Sequence, residues 1–290
     1  MKITVWGGSG FIGSHVCDAL STAGHEVLVA DKIDSKWLRN DQQMLIGDVL
    51  NTKDVGKSVA NAEMVYNFSG IADINECDAN PKDSAGINIM GNLNLLEACF
   101  KMKVRRYVFA STLYVYSRSG GFYRCSKQAC ENYIEEYNHQ HGLQYTILRF
   151  GSLYGPRSDK RNAVFCFILQ ALKEKKISYW GKPDALREYI HVRDAANICT
   201  EIIDDEFINQ NLIISGQQSL RVQDLMAMIK EIINEDIMFS FDENSDSGHY
   251  EKTPYSFSPK IGKTYIPKFH TDLGQGLLET VEDIFRENKT

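Results

Sequence analysis

Tyr123 and Lys127 stand four residues apart in the run Tyr123-Arg124-Cys125-Ser126-Lys127. On a helix that spacing puts both side chains on one face. A free phenol loses its proton near pH ~10, too high for an efficient base at neutral pH, and an ammonium one turn away can depress that value. A phenol tuned in this way can take the proton of a substrate hydroxyl while the geminal hydrogen leaves as hydride. Such a reaction needs a hydride acceptor. The chain carries a motif able to hold one, Gly7-Gly8-Ser9-Gly10-Phe11-Ile12-Gly13, which ends 110 residues before Tyr123. Each half alone has a plainer reading, an amphipathic helix in one case and a packing turn in the other. Together they predict a redox enzyme that uses a dinucleotide.

The glycines follow Lys2-Ile3-Thr4-Val5-Trp6, an apolar and β-branched run, and precede His15-Val16-Cys17-Asp18-Ala19-Leu20, whose apolar positions fall at helical spacing. The pattern reads as strand, tight turn and helix. Gly7 supplies the turn's unusual dihedrals, Gly10 lets a pyrophosphate approach the backbone, and Gly13 lets the helix pack closely on the strand. The helix N-terminus offers free N–H groups and a partial positive charge. The next strand ends at Asp31, 18 residues beyond Gly13. A carboxylate there can accept both hydroxyls of an adenosine ribose and repels a 2'-phosphate, so NAD is favoured over NADP. Lys32 beside it would tolerate a phosphate, and Asp31 could instead cap a turn. In Gly47-Asp48-Val49, Asp48 could meet the adenine amino group or stay an exposed turn residue.

The elements that must position these groups show in the hydropathy pattern. Apolar runs over 2–6, 26–30, 43–46, 64–68, 106–110, 145–149 and 212–214 read as buried strands. Helical spacing over 11–23, 52–60, 86–102, 123–140, 161–174, 192–204 and 220–234 alternates with them. That alternation predicts an α/β fold with a Rossmann-like doubly wound parallel sheet. From 156 onward the pattern breaks up, with Pro156, Pro183, Pro254, Pro259 and Pro267 and the polar stretch 242–248. We expect a cofactor domain over 1–155, to which 187–215 returns, and a smaller α/β substrate domain from 156–186 and 216–290.

Composition excludes several classes. A chain of 290 residues with 43% hydrophobic and 24% charged residues is ordinary for a globular protein. A net charge of -6 leaves no basic footprint for nucleic acid. The 7 cysteines lack metal-ligand spacing, and the odd count fits reduced thiols in the cytoplasm better than a disulfide framework. The 7 histidines show no metal pattern. Met1-Lys2-Ile3 enters the first strand at once, leaving no signal peptide, and the longest apolar stretch, 163–169, is too short to span a bilayer.

Nearly the whole chain resembles the extended short-chain dehydrogenase/reductases that modify nucleotide sugars, among them UDP-glucose 4-epimerase and its dehydratase relatives. The resemblance rests on 7–15, Asp31, Gly47-Asp48-Val49, Asn67-Phe68-Ser69-Gly70, Asn88 to Glu97, Ala110-Ser111-Thr112 with Val115-Tyr116, and Tyr123 to Lys127. It continues through Leu148-Arg149-Phe150, Tyr154-Gly155-Pro156-Arg157 and Arg187 to Asp194. It implies NAD held by Gly7, Gly10, Phe11, Ile12, Gly13, Asp31, Lys32, Asp48 and Val49. Phe68, Ser69, Gly70, Asn88, Ser111 and Phe150 would complete that site with Tyr123 and Lys127. By the same resemblance Thr112 holds the reacting hydroxyl, Arg187 grips the substrate pyrophosphate, and Ser152, Asn162 and Trp180 contact phosphate, sugar or base. Trp180 beside Gly181 has core packing as its alternative. A homodimer through helices 86–102 and 123–140 is implied as well, with Leu93, Leu96, Phe100, Tyr133, Ile134 and Tyr137 as apolar residues beyond one stripe.

Three departures from the family pattern matter. The Asp-Glu pair that dehydratases carry after the threonine is here Leu113-Tyr114, which removes the acid and base for elimination. Thr112 and Tyr123 are only 11 residues apart, so the loop that covers the sugar in relatives is reduced to 117–122. That leaves an open pocket, room for a larger sugar, or closure by another segment. Ser152 replaces a common Asn. The reading is an NAD-dependent 4-epimerase or 4-dehydrogenase acting on a nucleotide-linked sugar. The alternatives are a 4-ketoreductase, against which Asp31 argues, a 4,6-dehydratase, and a non-catalytic dinucleotide-sensing protein, whose usual mark is a lost Tyr or Lys.

Overall fold

The computed structural model describes residues 1–242, 248–252 and 254, all within a compact unit over Met1–Ser258; the second unit, Pro259–Thr290, lies outside the described residues. In chain order come β1 (Lys2–Trp6), α1 (Phe11–Thr22), β2 (Glu26–Asp31), β3 (Gln42–Ile46), α2 (Thr52–Val59), β4 (Met64–Asn67), α3 (Ile74–Ala79) and α4 (Pro81–Ser84). A π-helical turn (Ala85–Met90) leads into α5 (Gly91–Lys101), followed by β5 (Arg106–Thr112), a short 3-10 turn (Leu113–Tyr116), α6 (Gly121–His141), β6 (Gln144–Phe150) and β7 (Ser152–Tyr154). Then come α7 (Ala163–Glu174), β8 (Lys176–Tyr179), β9 (Leu186–His191), α8 (Val192–Glu201), β10 (Gln210–Ile214), β11 (Ser219–Arg221), α9 (Val222–Ile233) and β12 (Met238–Phe241).

Seven of these strands form one parallel sheet in the order β10-β6-β5-β4-β1-β2-β3, which bears out the doubly wound expectation. The strands are apolar on both faces because both are covered. Ile3 and Val5, with Val27, Val29, Tyr66, Val108 and Leu148, point to one side, against Val16 and Leu20 of α1 and Ala195 and Cys199 of α8. Trp6, Val65, Tyr107, Phe109 and Ile147 take the opposite side, against α2, α5 and α6. Each fully buried residue of this size contributes roughly 1.5–3 kcal/mol. From β1 the chain winds one way through β2 and β3 and the other way from β4, so the order reverses between β1 and β4, where such sheets open a crevice at their carboxyl ends.

A third apolar cluster, Phe167, Ala171, Ile177, Val222, Met226, Ile229 and Ile237, joins α7, β8 and α9. Two small sheets accompany it, β11-β9-β7 and β12-β8. The sequence pattern missed these strands and α3. The helix expected over 220–234 begins only at Val222, after β11, and the one expected over 192–204 ends at Glu201. The helix expected over 86–102 runs as a π-helical turn through Met90, in which Asn88 is buried, and as α-helix only from Gly91 to Lys101. Of the residues read as lying beyond one stripe, Leu96 and Ile134 are buried in the core, Leu93 and Tyr137 pack against it, and only Phe100 and Tyr133 are exposed. Most of the polar stretch 242–248, together with Pro259 and Pro267, lies outside the described residues.

Candidate active site

The turn after β1 fits a dinucleotide. Gly7 has φ of +76°, and a Cβ there would stand 2.5 Å from the Phe68 carbonyl carbon. A Cβ on Gly13 would stand 2.2 Å from the Gly7 carbonyl oxygen, so only glycine lets α1 come this close to the turn. Gly10 is the N-cap of α1, no side chain caps that end, and no acidic residue lies in its first turn, which begins with Phe11 and Ile12. The N-terminal N–H groups are left for an anion. Asp31 ends β2 with its carboxylate accepting the Ser9 N–H at 3.0 Å and the Ile33 N–H at 3.4 Å, so it is joined to the glycine turn. Lys32 pairs instead with Asp48 at 3.4 Å, across an exposed contact. Val49 is buried against Gly91 of α5, where a Cβ would meet its side chain at 2.7 Å.

Beyond β4, Phe68 lies parallel to Tyr66 and close to Phe150, at ring separations of 6.5 and 6.2 Å. Ser69 donates its N–H and hydroxyl to Asn67 Oδ1. Gly70 has φ of +145° and approaches Asn88, whose Oδ1 would be 2.7 Å from a Cβ there. The Asn88 carboxamide accepts the Ile71 N–H at 2.7 Å and donates to the Ile71 carbonyl and to Ser126 Oγ at 2.9 Å. The π-helical turn therefore ties the segment after β4 to α6.

On α6, Tyr123 and Lys127 do share a face. Lys127 is buried, donates to the Ala110 carbonyl at 2.8 Å, and stands 4.6 Å from the Phe109 ring centroid and 6.0 Å from that of Tyr123. Burial lowers the lysine's pKa. Burial also pushes the Tyr123 phenol up to about 12, while a hydrogen bond from Thr112 pulls it the other way. Thr112 ends β5, and its hydroxyl also accepts the Tyr114 N–H at 3.2 Å. The N-terminus of α6 is held from α3: Asp78 accepts the Phe122 N–H at 2.9 Å and fills the space a side chain on Gly121 would need.

The expected substrate residues fall into two groups. Arg187 on β9 is buried, donates to the Leu186 carbonyl at 2.9 Å and to the Tyr179 hydroxyl at 3.3 Å, and lies 4.6 Å over the Tyr250 ring. No carboxylate pairs with it among the described residues, which suits an anionic ligand. Ser152 on β7 hydrogen-bonds Tyr250, drawing it into the same cluster. Asn162 is the N-cap of α7 and its carboxamide is taken up by Phe165 N–H and the Leu153 carbonyl. Trp180 is 60% exposed, so core packing is not its role.

Sequence reasoning missed Tyr250, His249 and the position of Tyr114. The Gly248 carbonyl accepts the Gly120 N–H at 2.8 Å, Tyr250 packs on Tyr114 at 4.7 Å, and Tyr114 hydrogen-bonds His249. The segment 248–250 thus packs against the short 117–122 loop and the turn before it. Leu113 is buried and Tyr114 carries a phenol raised by burial, so no carboxylate stands directly after Thr112. Among the described residues no cluster of His, Cys, Asp or Glu could hold a metal, and no helix is long and apolar enough to cross a membrane.

Comparison with known proteins places the chain in one family. The model of the NAD dependent epimerase/dehydratase family matches residues 3–214. The chain is 27% identical over 259 residues to an uncharacterized UDP-glucose epimerase, YtcB, of Bacillus subtilis, covering 80% of this chain and 82% of that protein. It is 26% identical to a dTDP-glucose 4,6-dehydratase of Mycolicibacterium smegmatis, covering 100% of this chain and 95% of the other. The crystal structure of a Thermotoga maritima UDP-glucose 4-epimerase with UDP-glucose aligns with a TM-score of 0.82 at 25% identity over 100% of both chains.

Proposed function

The chain belongs to the NAD dependent epimerase/dehydratase family, and we propose that it acts at C4 of a nucleotide-linked sugar, as a 4-epimerase or a 4-dehydrogenase. The observation that carries the reading is the contact of Thr112 with the Tyr123 phenol, with Lys127 buried one turn along the same face of α6. NAD, when bound, would supply the hydride acceptor and a positive charge that favours the phenolate. Gly7, Gly10 and Gly13 leave room for its pyrophosphate, and Asp31 receives the adenosine ribose. Thr112 holds the C4 hydroxyl, and Tyr123 takes its proton as the C4 hydrogen leaves. Lys127 adds a cation that favours the phenolate. In an epimerase the ketone would present its other face, C4 would take the hydride back from the reduced cofactor, and Tyr123 would return the proton to the oxygen; in a dehydrogenase the ketone is released and the hydride stays on the cofactor.

Arg187, with a planar fork of donors and no carboxylate partner among the described residues, receives the substrate pyrophosphate. Residues 1–155 and 187–215 hold the cofactor; 156–186 and 216–290 hold the nucleotide sugar. Dehydration is disfavoured because Leu113 and Tyr114 stand where elimination needs a carboxylate pair. The protein works in the cytoplasm as a homodimer through 86–102 and 123–140, a reading supported by exposed Met90, Phe100, Phe122 and Tyr133 on or beside these helices. A monomer mass at micromolar concentration would refute the dimer. The functional test is incubation of the NAD-loaded protein with UDP- and dTDP-hexoses, followed by NMR of the sugar. Inversion or oxidation at C4 supports the reading; a 4-keto-6-deoxy product, or no conversion of any of them, counts against it.

A further inference from the structure

Helix α6 presents a third side chain on the stripe that carries Tyr123 and Lys127. Glu131 follows Lys127 by one turn and is 4% exposed. It accepts the Ser111 hydroxyl and is gripped by Arg149 of β6 through two bonds, Nε to Oε1 at 3.1 Å and Nη2 to Oε2 at 2.7 Å. Arg149, itself 6% exposed, also donates to the Tyr116 hydroxyl and lies 4.8 Å over the Tyr116 ring. Ser111 immediately precedes Thr112, and Tyr116 closes the 3-10 turn immediately after it. The chain Ser111, Glu131, Arg149, Tyr116 therefore holds one side chain before Thr112 and one after it.

We propose that the buried Glu131–Arg149 pair is a positioning device that fixes the Thr112 hydroxyl against Tyr123. A buried ion pair is a poor source of stability, since apolar residues of similar volume often serve as well, whereas it specifies one arrangement of its partners. Here the partners flank the residue whose hydroxyl meets the reacting phenol. The inference rests on the catalytic assignment of Tyr123 and Thr112 above, and its test does not need turnover.

Tyr123 faces Thr112 from β5, Cys77 from α3, Tyr114 from the turn after β5, Tyr250 from the segment 248–252 and Lys127 on its own helix. Of these, Thr112 and Tyr114 lie between the two residues held by the pair, and of the two Thr112 is the one that hydrogen-bonds the phenol. The Ser111→Ala, Tyr116→Phe double variant frees both flanks and leaves every charge in place. With NAD bound, the ionisation of Tyr123 is followed by NMR of carbon-13 tyrosine, assigned against Tyr123→Phe. The midpoint is expected to rise by about 1 pH unit, the scale of one hydrogen bond to a charged group. Adding Thr112→Val should then change nothing further, because both variants remove the same contact.

Glu131→Gln is the second probe. Losing its negative charge would favour the phenolate and lower the midpoint, so a rise in this variant reports position rather than charge. An unmoved midpoint in the double variant, or a fall in Glu131→Gln where the double variant does not fold, overturns the proposal. If no nucleotide sugar is converted while these shifts are seen, the substrate reading fails and the positioning role stands. If turnover is found and the shifts are not, the reverse holds.

Discussion

Replacing Lys127 by methionine keeps an unbranched apolar stem and deletes one buried positive charge. Its Nζ stands 6.0 Å from the centroid of the Tyr123 ring. At an effective dielectric constant of ~20, unit charges at that separation interact by roughly 3 kcal/mol, or about 2 pKa units. The direction follows from the role of the base. Tyr123 must be ionised to accept a proton, so turnover rises with pH through its pKa, and loss of the cation moves that limb to higher pH. Burial already pushes the free phenol up to about 12, with Thr112 as the opposing contact, so the loaded site depends on every cation near it. Turnover at pH 7 should fall about 100-fold in Lys127→Met and recover toward alkaline pH. The assay is kcat against pH at saturating NAD and nucleotide sugar. NAD affinity is measured separately, because the proposed cofactor site also includes Lys127. A loss of equal size at every pH, or no loss, would refute the electrostatic role.

Gly13→Ala places a Cβ 2.2 Å from a backbone oxygen that cannot swing away, which should cost about 1–3 kcal/mol or more. A lower Tm and weaker NAD binding are expected; an unchanged NAD titration would remove the turn from the cofactor site. Asp31→Ala should narrow the preference for NAD over NADP, measured as the ratio of their affinities, and an unaltered ratio would mean that another residue reads the ribose. Arg187→Lys loses the planar fork, so KM should rise about 10- to 100-fold with kcat nearly kept; a loss confined to kcat would contradict a ground-state pyrophosphate contact. Burial lowers the pKa of His15 below 6.5 although its Nε2 meets the Pro156 carbonyl at 3.0 Å. The unfolded chain then binds the proton first, so this group's contribution is complete above pH 6.5 and is lost as pH falls through the folded value. Urea midpoints should fall less between pH 7 and pH 5 in His15→Gln than in the parent; parallel falls would exclude His15.

What the sequence disclosed was whatever is written locally. The seven-stranded sheet is built from continuous apolar runs, and Gly7 and Gly13 announce a turn whose dihedrals and close approach admit nothing larger. Tyr123 and Lys127 reveal their common face through helical spacing alone, and Glu131 could have been added by extending the same stripe one turn. The short strands β7, β8, β9, β11 and β12 were not legible, because polar residues such as Ser152, Ser178, Arg187, Glu188, Ser219 and Ser240 interrupt any apolar run. Asp73 accepting the Glu76 N–H caps the start of α3, and this Asp-x-x-Glu signal was present in the sequence and would have found the helix carrying Asp78. The approach of Gly248 to Gly120, and of Tyr250 to Arg187, joins segments separated by more than a hundred residues or by a polar stretch, and no local pattern encodes such a meeting.

The central claim is that hydride leaves C4 of a nucleotide sugar while Tyr123 takes the hydroxyl proton. Its most direct test is the rate at which reduced nicotinamide forms in the NAD-loaded protein mixed with UDP-hexoses carrying deuterium at C4, C3 or C5 in turn, in the parent and in Tyr123→Phe. The predicted result is reduction in the parent, slowed only by deuterium at C4, and almost none in Tyr123→Phe despite retained NAD. Slowing by deuterium at another carbon, or reduction at full rate in Tyr123→Phe, would contradict it.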